Sequence, residues 1–297
     1  MEQAHGGRRL SPGQRLLNRF LVPHRGYAVL SGRAYGDDPE HRLDVYRPQR
    51  PDGSVVVFFY GGRWSQGHRS GYRFVGQALA SLGTTVVIPD YRLYPSVRFP
   101  AFMHDAAAAV AWTRAHAGEL GADSRRVVLM GHSAGAHIAS LLALDAGYLE
   151  AVGRSPRELA GVVGLAGPYD FLPLREPDLR DIFGPEARHA LSQPINFAGG
   201  EAPPFLLLTG GRDRAVSPGN SKRLWRRLTE RGTRARLVFY RRLGHTSLMA
   251  ALAAPLRMLG PVLPEIGEFV RQTAVAGELP DDFGRAPVER QGRHRAA

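Results

Sequence analysis

The sequence predicts a three-layer α/β fold, in which a mostly parallel central sheet carries helices on both faces. Short, almost uninterrupted apolar runs are typical of parallel strands that are buried on both faces. These runs alternate with longer stretches whose apolar spacing suits crossover helices. The chain of 297 residues is also long enough to enclose one large core of this kind.

The predicted elements follow one another in a regular order. The strands are Val55–Tyr60, Thr84–Ile88, Val127–Met130, Val162–Leu165, Phe205–Thr209 and Ala235–Tyr240. The helices between them are Tyr72–Leu82, Phe102–Ala117, Ala134–Leu144 and Ser221–Arg231. Ligands of such sheets bind outside the carboxyl ends of the strands, so the residues that follow each strand are the first candidates for a site.

The chain divides into one large domain and two flanking segments. We expect an α/β domain over residues 26–275, preceded by a polar, flexible N-terminal arm over residues 1–25. Residues 276–297 lack apolar periodicity and end in a basic cluster, which predicts a disordered basic tail. Residues 171–204 form a long connection with apolar, Pro and Gly residues, which predicts a small cap or lid over the pocket. A surface excursion is the alternative for this connection.

Composition narrows the class of protein. The formal net charge is +12, but the arginines form no run of five or more, so we expect a solvated basic surface and no specific nucleic-acid site. No apolar stretch approaches ~18 residues, which predicts no membrane span. The polar N-terminus lacks a signal-peptide pattern, so we expect a cytoplasmic protein. The absence of cysteine excludes disulfides and thiolate nucleophiles.

A serine lies in a glycine-flanked turn directly after the third predicted strand. The segment Gly131-His132-Ser133-Ala134-Gly135 fits the G-x-S-x-G pattern of a strand-to-helix nucleophile elbow. The glycines let the backbone pass close to its neighbours, and the serine hydroxyl stands at the N-terminus of the next helix, where negative charge is stabilised. The apolar strand before it and the Ala/Leu-rich helix after it favour a nucleophile over a chance turn.

A serine nucleophile needs a base, and the base needs an orienting acid. Asp213 and His245 each follow a predicted strand, so both are expected on the same rim of the sheet as Ser133. The chain order serine, acid, histidine is the order that accompanies this elbow. Asp170 also follows a strand and stays an alternative acid, although it comes early in the chain.

The sequence gives less reason to expect a catalytic role for the other titratable residues. Asp90 and Asp105 precede the serine, so we expect them to be structural. His132 and His137 lie in or just after the elbow and are expected to pack or hydrogen-bond locally. No pair of histidines shows ligand spacing with a carboxylate, so we predict no metal site, and no cofactor is implied.

A glycine-rich loop follows the first predicted strand. The backbone N–H groups of Gly61, Gly62 and Arg63 can point at a carbonyl oxygen that becomes an oxyanion, and the N–H of Ala134 is the expected second donor. The residues that we expect to line the substrate pocket beside this loop are Tyr60, Trp64 and His132.

Together these motifs resemble the esterase/lipase branch of the α/β-hydrolase superfamily, near the hormone-sensitive-lipase-like carboxylesterases and the kynurenine formamidase-like enzymes. The resemblance covers the chain from about Tyr35 to Leu252. It rests on Leu43-Asp44-Val45-Tyr46, Gly61-Gly62-Arg63-Trp64, Pro89-Asp90-Tyr91-Arg92, the elbow, Gly167-Pro168-Tyr169-Asp170, Gly211-Arg212-Asp213 and Gly244-His245. The oxyanion motif of this family usually begins with histidine, as HGGxW or HGGG, and Tyr60 stands in that place here. Trp64 matches the tryptophan of HGGxW, which makes the loop more similar to that of the formamidase-like enzymes than to that of the HGGG esterases.

The resemblance implies a serine hydrolase that cleaves small-molecule carboxylic esters through an acyl-enzyme on Ser133, with Asp213 and His245 completing the triad. Hydrolysis of an aryl formamide uses the same groups and is one alternative. A non-catalytic binding protein on the same fold is another, because a fold does not determine a function. The intact set of serine, acid and histidine argues against that second alternative.

Overall fold

The computed structural model describes residues 26–199, 201–274, 279, 283–284 and 286–291. In these residues one sheet of nine strands has the order β1-β2-β4-β3-β5-β6-β7-β8-β9. The strands are β1 (Tyr27–Ala34), β2 (Arg42–Pro48), β3 (Gly53–Phe59), β4 (Thr85–Pro89), β5 (Ala122–His132), β6 (Gly161–Leu165), β7 (Phe205–Gly210), β8 (Ala235–Tyr240) and β9 (Val288–Arg290). Strand β2 is antiparallel to both of its neighbours, β1 and β4, and the remaining pairs are parallel.

Helices cover both faces of this sheet, as the sequence predicts. They are α1 (Arg73–Ala80), α2 (Ala101–Ala115), α3 (Ala134–Leu144), α4 (Ala146–Glu150), α5 (Pro177–Phe183), α6 (Gly219–Glu230), α7 (His245–Ala250) and α8 (Val262–Ala274). Helix α1 packs with α8, while α2 packs with α3 and α4. The prediction of a three-layer α/β fold is therefore confirmed.

The centre of the sheet holds the elements that position the candidate site. The apolar residues of β3, the second half of β5 and β6 are completely buried. Helix α3 is buried over nearly its whole length, because it packs on β3, β5 and β6 and is contacted by other helices on its outer side. Its Ala- and Leu-rich composition suits that position, since a helix that is apolar all round belongs in a core.

The predicted core elements overlap the observed ones. The bounds of β8 and α3 are those predicted from the sequence. Strand β5 starts at Ala122 and not at Val127, because its polar first half pairs with β3 across a shift in register. Strand β1 was not predicted, since its mostly half-buried or exposed residues form no apolar run.

The tail prediction is wrong for part of the segment 276–297. Val288–Arg290 form β9, which adds to the edge of the sheet beside β8. Phe283 is buried and stacks on Phe269 of α8, with the ring centroids 5.8 Å apart. Pairing with the edge strand β8 gives Val288–Arg290 an extended backbone although the sequence there shows no periodicity. Residues 276–278, 280–282, 285 and 292–297 of the predicted tail, and the predicted arm at residues 1–25, lie outside the described residues.

The connection predicted as a cap contains helix α5 and two 3₁₀ turns, Glu186–Ser192 and Pro194–Phe197. It is tied to the body of the protein by backbone hydrogen bonds, such as that from the N–H of Phe99 to the carbonyl of Ile182 (2.9 Å). Its role as a cap stays a prediction. No helix in the described part of the chain is both long and apolar enough to cross a membrane.

Candidate active site

Ser133 occupies a strained turn between the end of β5 and the start of α3. Its φ of +53° and ψ of −123° lie in a region that non-glycine residues rarely adopt. A Cβ at Gly135 would come within 1.9 Å of the carbonyl oxygen of Phe59, and one at Gly131 within 2.1 Å of the carbonyl oxygen of Gly135. The glycines of the elbow are therefore required by close backbone contact, as the sequence predicts.

His245 and Asp213 form a hydrogen-bonded pair at the ends of β8 and β7. Nδ1 of His245 lies 2.8 Å from Oδ2 of Asp213. The other carboxylate oxygen accepts the backbone N–H groups of Ala215 (2.9 Å) and Val216 (2.8 Å). The Asp213 side chain is fully buried, whereas 19% of the His245 side chain is exposed. This arrangement fixes the carboxylate, assigns the ring proton to Nδ1 and leaves Nε2 as an acceptor.

Ser133 and His245 line one open cavity of about 1130 Å³. The predicted oxyanion residues Gly61, Gly62, Arg63 and Ala134 line the same cavity. Ligand pockets usually measure about 300–1,000 Å³, so this cavity is large enough for a sizeable substrate. The structure thus places the predicted nucleophile and base beside shared open space, with the predicted acid directly behind the base.

The oxyanion loop approaches the elbow closely. A Cβ at Gly61 would lie 3.0 Å from Cβ of Ser133 and 2.9 Å from the carbonyl oxygen of His132, so a side chain at Gly61 would collide with the elbow. Gly62 and Arg63 have φ values of +133° and +54°. These angles bend the loop into a tight turn at the edge of the cavity. Ala134 is the first residue of α3, where backbone N–H groups have no partner within the helix.

The prediction that Tyr60 lines the pocket is wrong. Tyr60 is completely buried and is not part of the cavity wall. Its ring stacks between Tyr72 and Tyr91, and its hydroxyl donates a hydrogen bond to Oδ1 of Asp90 (2.8 Å). The large ring turns inward because a partly apolar side chain with a polar tip finds both stacking partners and an acceptor in the core.

The other two expected pocket residues do lie at the cavity. Trp64 stacks on Phe171 at 5.9 Å and meets Phe183 edge-on at 4.8 Å, so an aromatic cluster joins the oxyanion loop to the connection 171–199. His132 also lines the cavity and lies against His245, with the ring centroids 4.7 Å apart.

The alternative acid and the early aspartates lie elsewhere. Asp170 forms an ion pair with Arg223, and its side chain is one-third exposed, away from the cavity wall. Asp90 is fully buried, and it accepts from the backbone N–H of Arg69 (2.8 Å) as well as from Tyr60. Asp105 is bound by Arg92 through several short hydrogen bonds. Asp90 and Asp105 therefore have the structural role expected from the sequence.

Sequence reasoning missed an ionic contact between the oxyanion loop and the connection 171–199. The guanidinium of Arg63 lies 2.5 Å from Glu176 and 2.6 Å from Asp178, at the start of α5. The hydrogen bond to Asp178 is the main cause of the raised pKa of Arg63. Pairing across more than 100 residues leaves no local pattern, so the sequence carries no signal for this contact.

The described residues contain no group of three or more His, Asp or Glu side chains arranged to hold a metal ion. The arrangement that the structure does show is a serine in an elbow, a histidine bonded to a buried carboxylate, and a glycine-rich loop around one cavity. These groups can perform nucleophilic and general acid–base chemistry with the side chains alone.

Known proteins resemble this chain in sequence over most of its length. The BD-FAE family model matches residues 43–228. An isoprenylcysteine alpha-carbonyl methylesterase of Arabidopsis thaliana is 32% identical over 248 residues, which cover 75% of this chain and 57% of that protein. Esterase LipC of Mycobacterium tuberculosis is 32% identical over 217 residues, which cover 65% of this chain and 53% of that protein. The chain thus spans a little over half the length of these curated relatives.

Solved structures resemble it in fold. A hyperthermophilic esterase from the archaeon Pyrobaculum calidifontis has a TM-score of 0.72 at 25% identity, covering 89% of this chain and 91% of that one. A phosphonate-inhibited esterase B from Lactobacillus rhamnosis has a TM-score of 0.75 at 22% identity, covering 88% and 91%. The predicted resemblance is confirmed: the chain belongs to the BD-FAE family, within the esterase/lipase branch of the α/β-hydrolase superfamily.

Proposed function

We propose that the protein is a carboxylic-ester hydrolase that forms an acyl-enzyme on Ser133. The observation that supports this most strongly is the 2.8 Å bond between His245 and a buried Asp213 beside the cavity that Ser133 lines. A serine hydroxyl is a weak nucleophile, and a histidine that is oriented by a carboxylate can remove its proton.

The reaction follows from the proton positions. Nε2 of His245 accepts the proton of the Ser133 hydroxyl while Oγ attacks the ester carbonyl carbon. The resulting imidazolium is stabilised by Asp213 and then protonates the alcohol that leaves. A water molecule attacks the acyl-enzyme by the same route, its proton passes through His245 to Oγ, and the carboxylic acid is released.

The oxyanion is held by backbone amides. We assign this role to the N–H of Ala134 and to amides of the loop Gly61–Arg63, because these residues line the cavity that Ser133 lines and Gly61 lies directly against the elbow. Loss of one such donor typically lowers kcat by about 10²–10³. The Arg63 side chain is not needed for this role, since it is held by Glu176 and Asp178.

The cavity wall favours esters with a bulky apolar part. Aromatic and aliphatic side chains from the start of α1, the connection 171–199 and α7 line it: Tyr72, Phe74, Phe171, Leu172, Leu174, Leu179 and Met249. The relative from Arabidopsis is named for a methyl ester of an isoprenylcysteine. We therefore propose that an ester joined to a long apolar group is hydrolysed with a higher kcat/KM than a short one.

Substitution of the nucleophile tests the proposal. Ser133→Ala should lower kcat/KM for a p-nitrophenyl ester by roughly 10⁴-fold or more, because the covalent route is lost. Ser31→Ala is the matched control, since Ser31 is exposed on β1. Retention of most activity by Ser133→Ala would remove Ser133 from the mechanism. A parallel assay with an aryl formamide separates ester from formamide hydrolysis by the ratio of the two kcat/KM values.

A further inference from the structure

His132 occupies a buried place between the elbow and the loop that carries His245. Only 8% of the residue is exposed. Its Nε2 lies 3.2 Å from the backbone carbonyl oxygen of His245, and the two imidazole rings are inclined by 45°. The residue just before the nucleophile is therefore bound to the backbone of the proposed base, 113 positions away in sequence.

The same ring touches the oxyanion loop. A Cβ at Gly61 would lie 3.1 Å from Nδ1 of His132, so the imidazole packs directly on the backbone of that loop. A carbonyl oxygen only accepts hydrogen bonds, which means that Nε2 of His132 carries the proton and Nδ1 carries a lone pair. One side chain thus contacts the three segments that carry the nucleophile, the oxyanion donors and the base.

The charge of this ring matters to its neighbour. Burial, followed by the proximity of His245, lowers the pKa of His132 from 6.5 to about 3. His132 therefore stays neutral while His245 takes up a proton during acylation. A second positive charge at 4.7 Å would oppose that step, whereas a neutral donor does not. The groups that face His132 are His245, with Asp213 behind it, and Ser133.

We propose that His132 is a positioning residue. Its Nε2–H group binds the backbone of His245 and its ring packs on the oxyanion loop, so that both are fixed in position relative to Ser133. This inference rests on the proposed function, since it requires His245 to act as the base. It goes beyond that function because it assigns the orientation of the base to a residue outside the triad.

Two substitutions of similar size test the donor. His132→Leu removes the N–H group, whereas His132→Gln keeps a side-chain N–H near the same place. We expect His132→Leu to lower kcat by roughly 10- to 100-fold with little change in KM, because a small displacement of a catalytic group costs rate far more than binding. His132→Gln should recover most of that loss. In the pH profiles of the wild type and of His132→Gln, the decrease of kcat/KM on the acidic side should fit the protonation of one group.

His137→Leu is the matched control. His137 is also a buried histidine, in the first turns of α3, and its Nε2 donates to the carbonyl oxygen of Ser192 (2.7 Å). Its ring packs on Trp64, Phe171 and Phe183 rather than on His245. If the loss of kcat in His132→Leu reflected general destabilisation, His137→Leu would show it as well. We expect similar decreases in melting temperature for the two Leu variants and a much smaller decrease in kcat for His137→Leu.

The outcomes separate the two proposals. If Ser133→Ala and His245→Ala are inactive while folded His132→Leu keeps kcat within about twofold of wild type, this inference is wrong and the proposed function stands. Equal losses of kcat in His132→Gln and His132→Leu would also overturn it. Activity retained in Ser133→Ala would instead contradict the proposed function.

A measurement on the unaltered protein covers the case in which His132→Leu does not fold. Nitrogen-15 NMR of histidine-labelled wild-type protein reports the tautomer and protonation of each imidazole ring. We expect His132 to be neutral with its proton on Nε2 down to about pH 5. A proton on Nδ1, or protonation at the pH of an ordinary histidine, would overturn the inference.

Discussion

At the residue scale, Asp213 is distinguished from the other aspartates by what its two carboxylate oxygens bind. One oxygen faces His245, and the other is held by two backbone N–H groups, so the carboxylate has no freedom to turn away. Asp170, the alternative acid from the sequence, is bound to Arg223 instead. The chain order of elbow, acid and histidine favoured Asp213 but left Asp170 as an alternative, and the bond from His245 supports Asp213.

Asp213→Asn tests this assignment. The amide keeps the shape of the side chain but can stabilise the wrong tautomer of His245 and no longer compensates an imidazolium, so kcat should fall by about 10⁴-fold. Asp170→Asn is the control and should change kcat little. Steady-state kinetics on the same ester measures both variants. Equal losses in the two variants, or a loss confined to Asp170→Asn, would contradict the assignment.

The sequence was less informative about Tyr60. Its place at the head of the oxyanion motif suggested a pocket residue, yet its ring lies in the core and its hydroxyl binds Asp90. The direction in which a side chain at the end of a strand points depends on which neighbours can accept it. Here Tyr72, Tyr91 and Asp90 decide it, and all of them come from later segments of the chain.

At the element scale, the elbow joins β5 to α3 with almost no space between backbones. Gly135 lies so close to β3 that a Cβ would meet the carbonyl oxygen of Phe59 at 1.9 Å. This contact holds the N-terminus of α3, and hence the amide of Ala134, beside the oxyanion loop. The G-x-S-x-G pattern in the sequence therefore records a packing constraint between two strands and a helix.

Gly135→Ala should be strongly destabilising for that reason. We expect the free energy of unfolding to fall by about 3 kcal/mol, because the added Cβ would force the backbone of Phe59 and Tyr60 to move away from α3. Gly118→Ala is the control, since a Cβ there meets nothing within 4 Å and φ is not positive. Chemical denaturation of both variants measures the difference. A Gly135→Ala variant as stable as Gly118→Ala would contradict the close packing of the elbow.

Strands β1, β2 and β9 were not predicted from the sequence. Strand β2 is largely buried, but Arg42, Asp44 and Arg47 interrupt its apolar pattern. The two strands at the edges of the sheet were missed for a different reason. Strand β1 is an edge strand with mostly half-buried or exposed residues, and β9 contains three residues that pair only with β8. Sequence periodicity reports burial, so it finds the buried parallel strands and loses the edges of the sheet. The contact of Arg63 with Glu176 and Asp178 was also not predicted from the sequence, because this contact depends only on how the chain folds in three dimensions.

At the scale of the whole molecule, two buried histidines link folding to pH. Burial lowers the pKa of His132 from 6.5 to about 3 and that of His137 from 6.5 to about 4. In the unfolded chain both rings take up a proton as the pH falls below 6.5, while in the folded protein both stay neutral. The unfolded state then binds more protons, so these groups reduce stability as the pH falls from about 6.5 toward 4.

The midpoint of thermal unfolding should accordingly fall as the pH is lowered from about 7 to 4.5. His137→Gln removes one of the two titrating groups without touching the triad, and it should flatten this dependence. Differential scanning calorimetry across the pH range measures both proteins. A wild-type midpoint that is constant or rises on acidification would contradict the neutral, buried state of these rings.

The fold as a whole was the most predictable level. Continuous apolar strands, amphipathic crossovers and three motifs at strand ends specify the sheet and the rim on which the site lies. They do not specify the volume or shape of the cavity, because its wall also draws on α7, the start of α1, the segment after β7 and the connection 171–199. The substrate preference therefore depends on the least predictable part of the molecule.

We predict that Ser133 becomes covalently modified when the protein acts on an acyl or phosphonyl group. Treatment of the full chain with a fluorophosphonate, followed by peptide mass spectrometry, tests it most directly. We predict one adduct per chain, on the peptide that contains Ser133, and no adduct in Ser133→Ala. Undiminished ester hydrolysis with no adduct, or an adduct on another residue, would show that Ser133 is not the nucleophile.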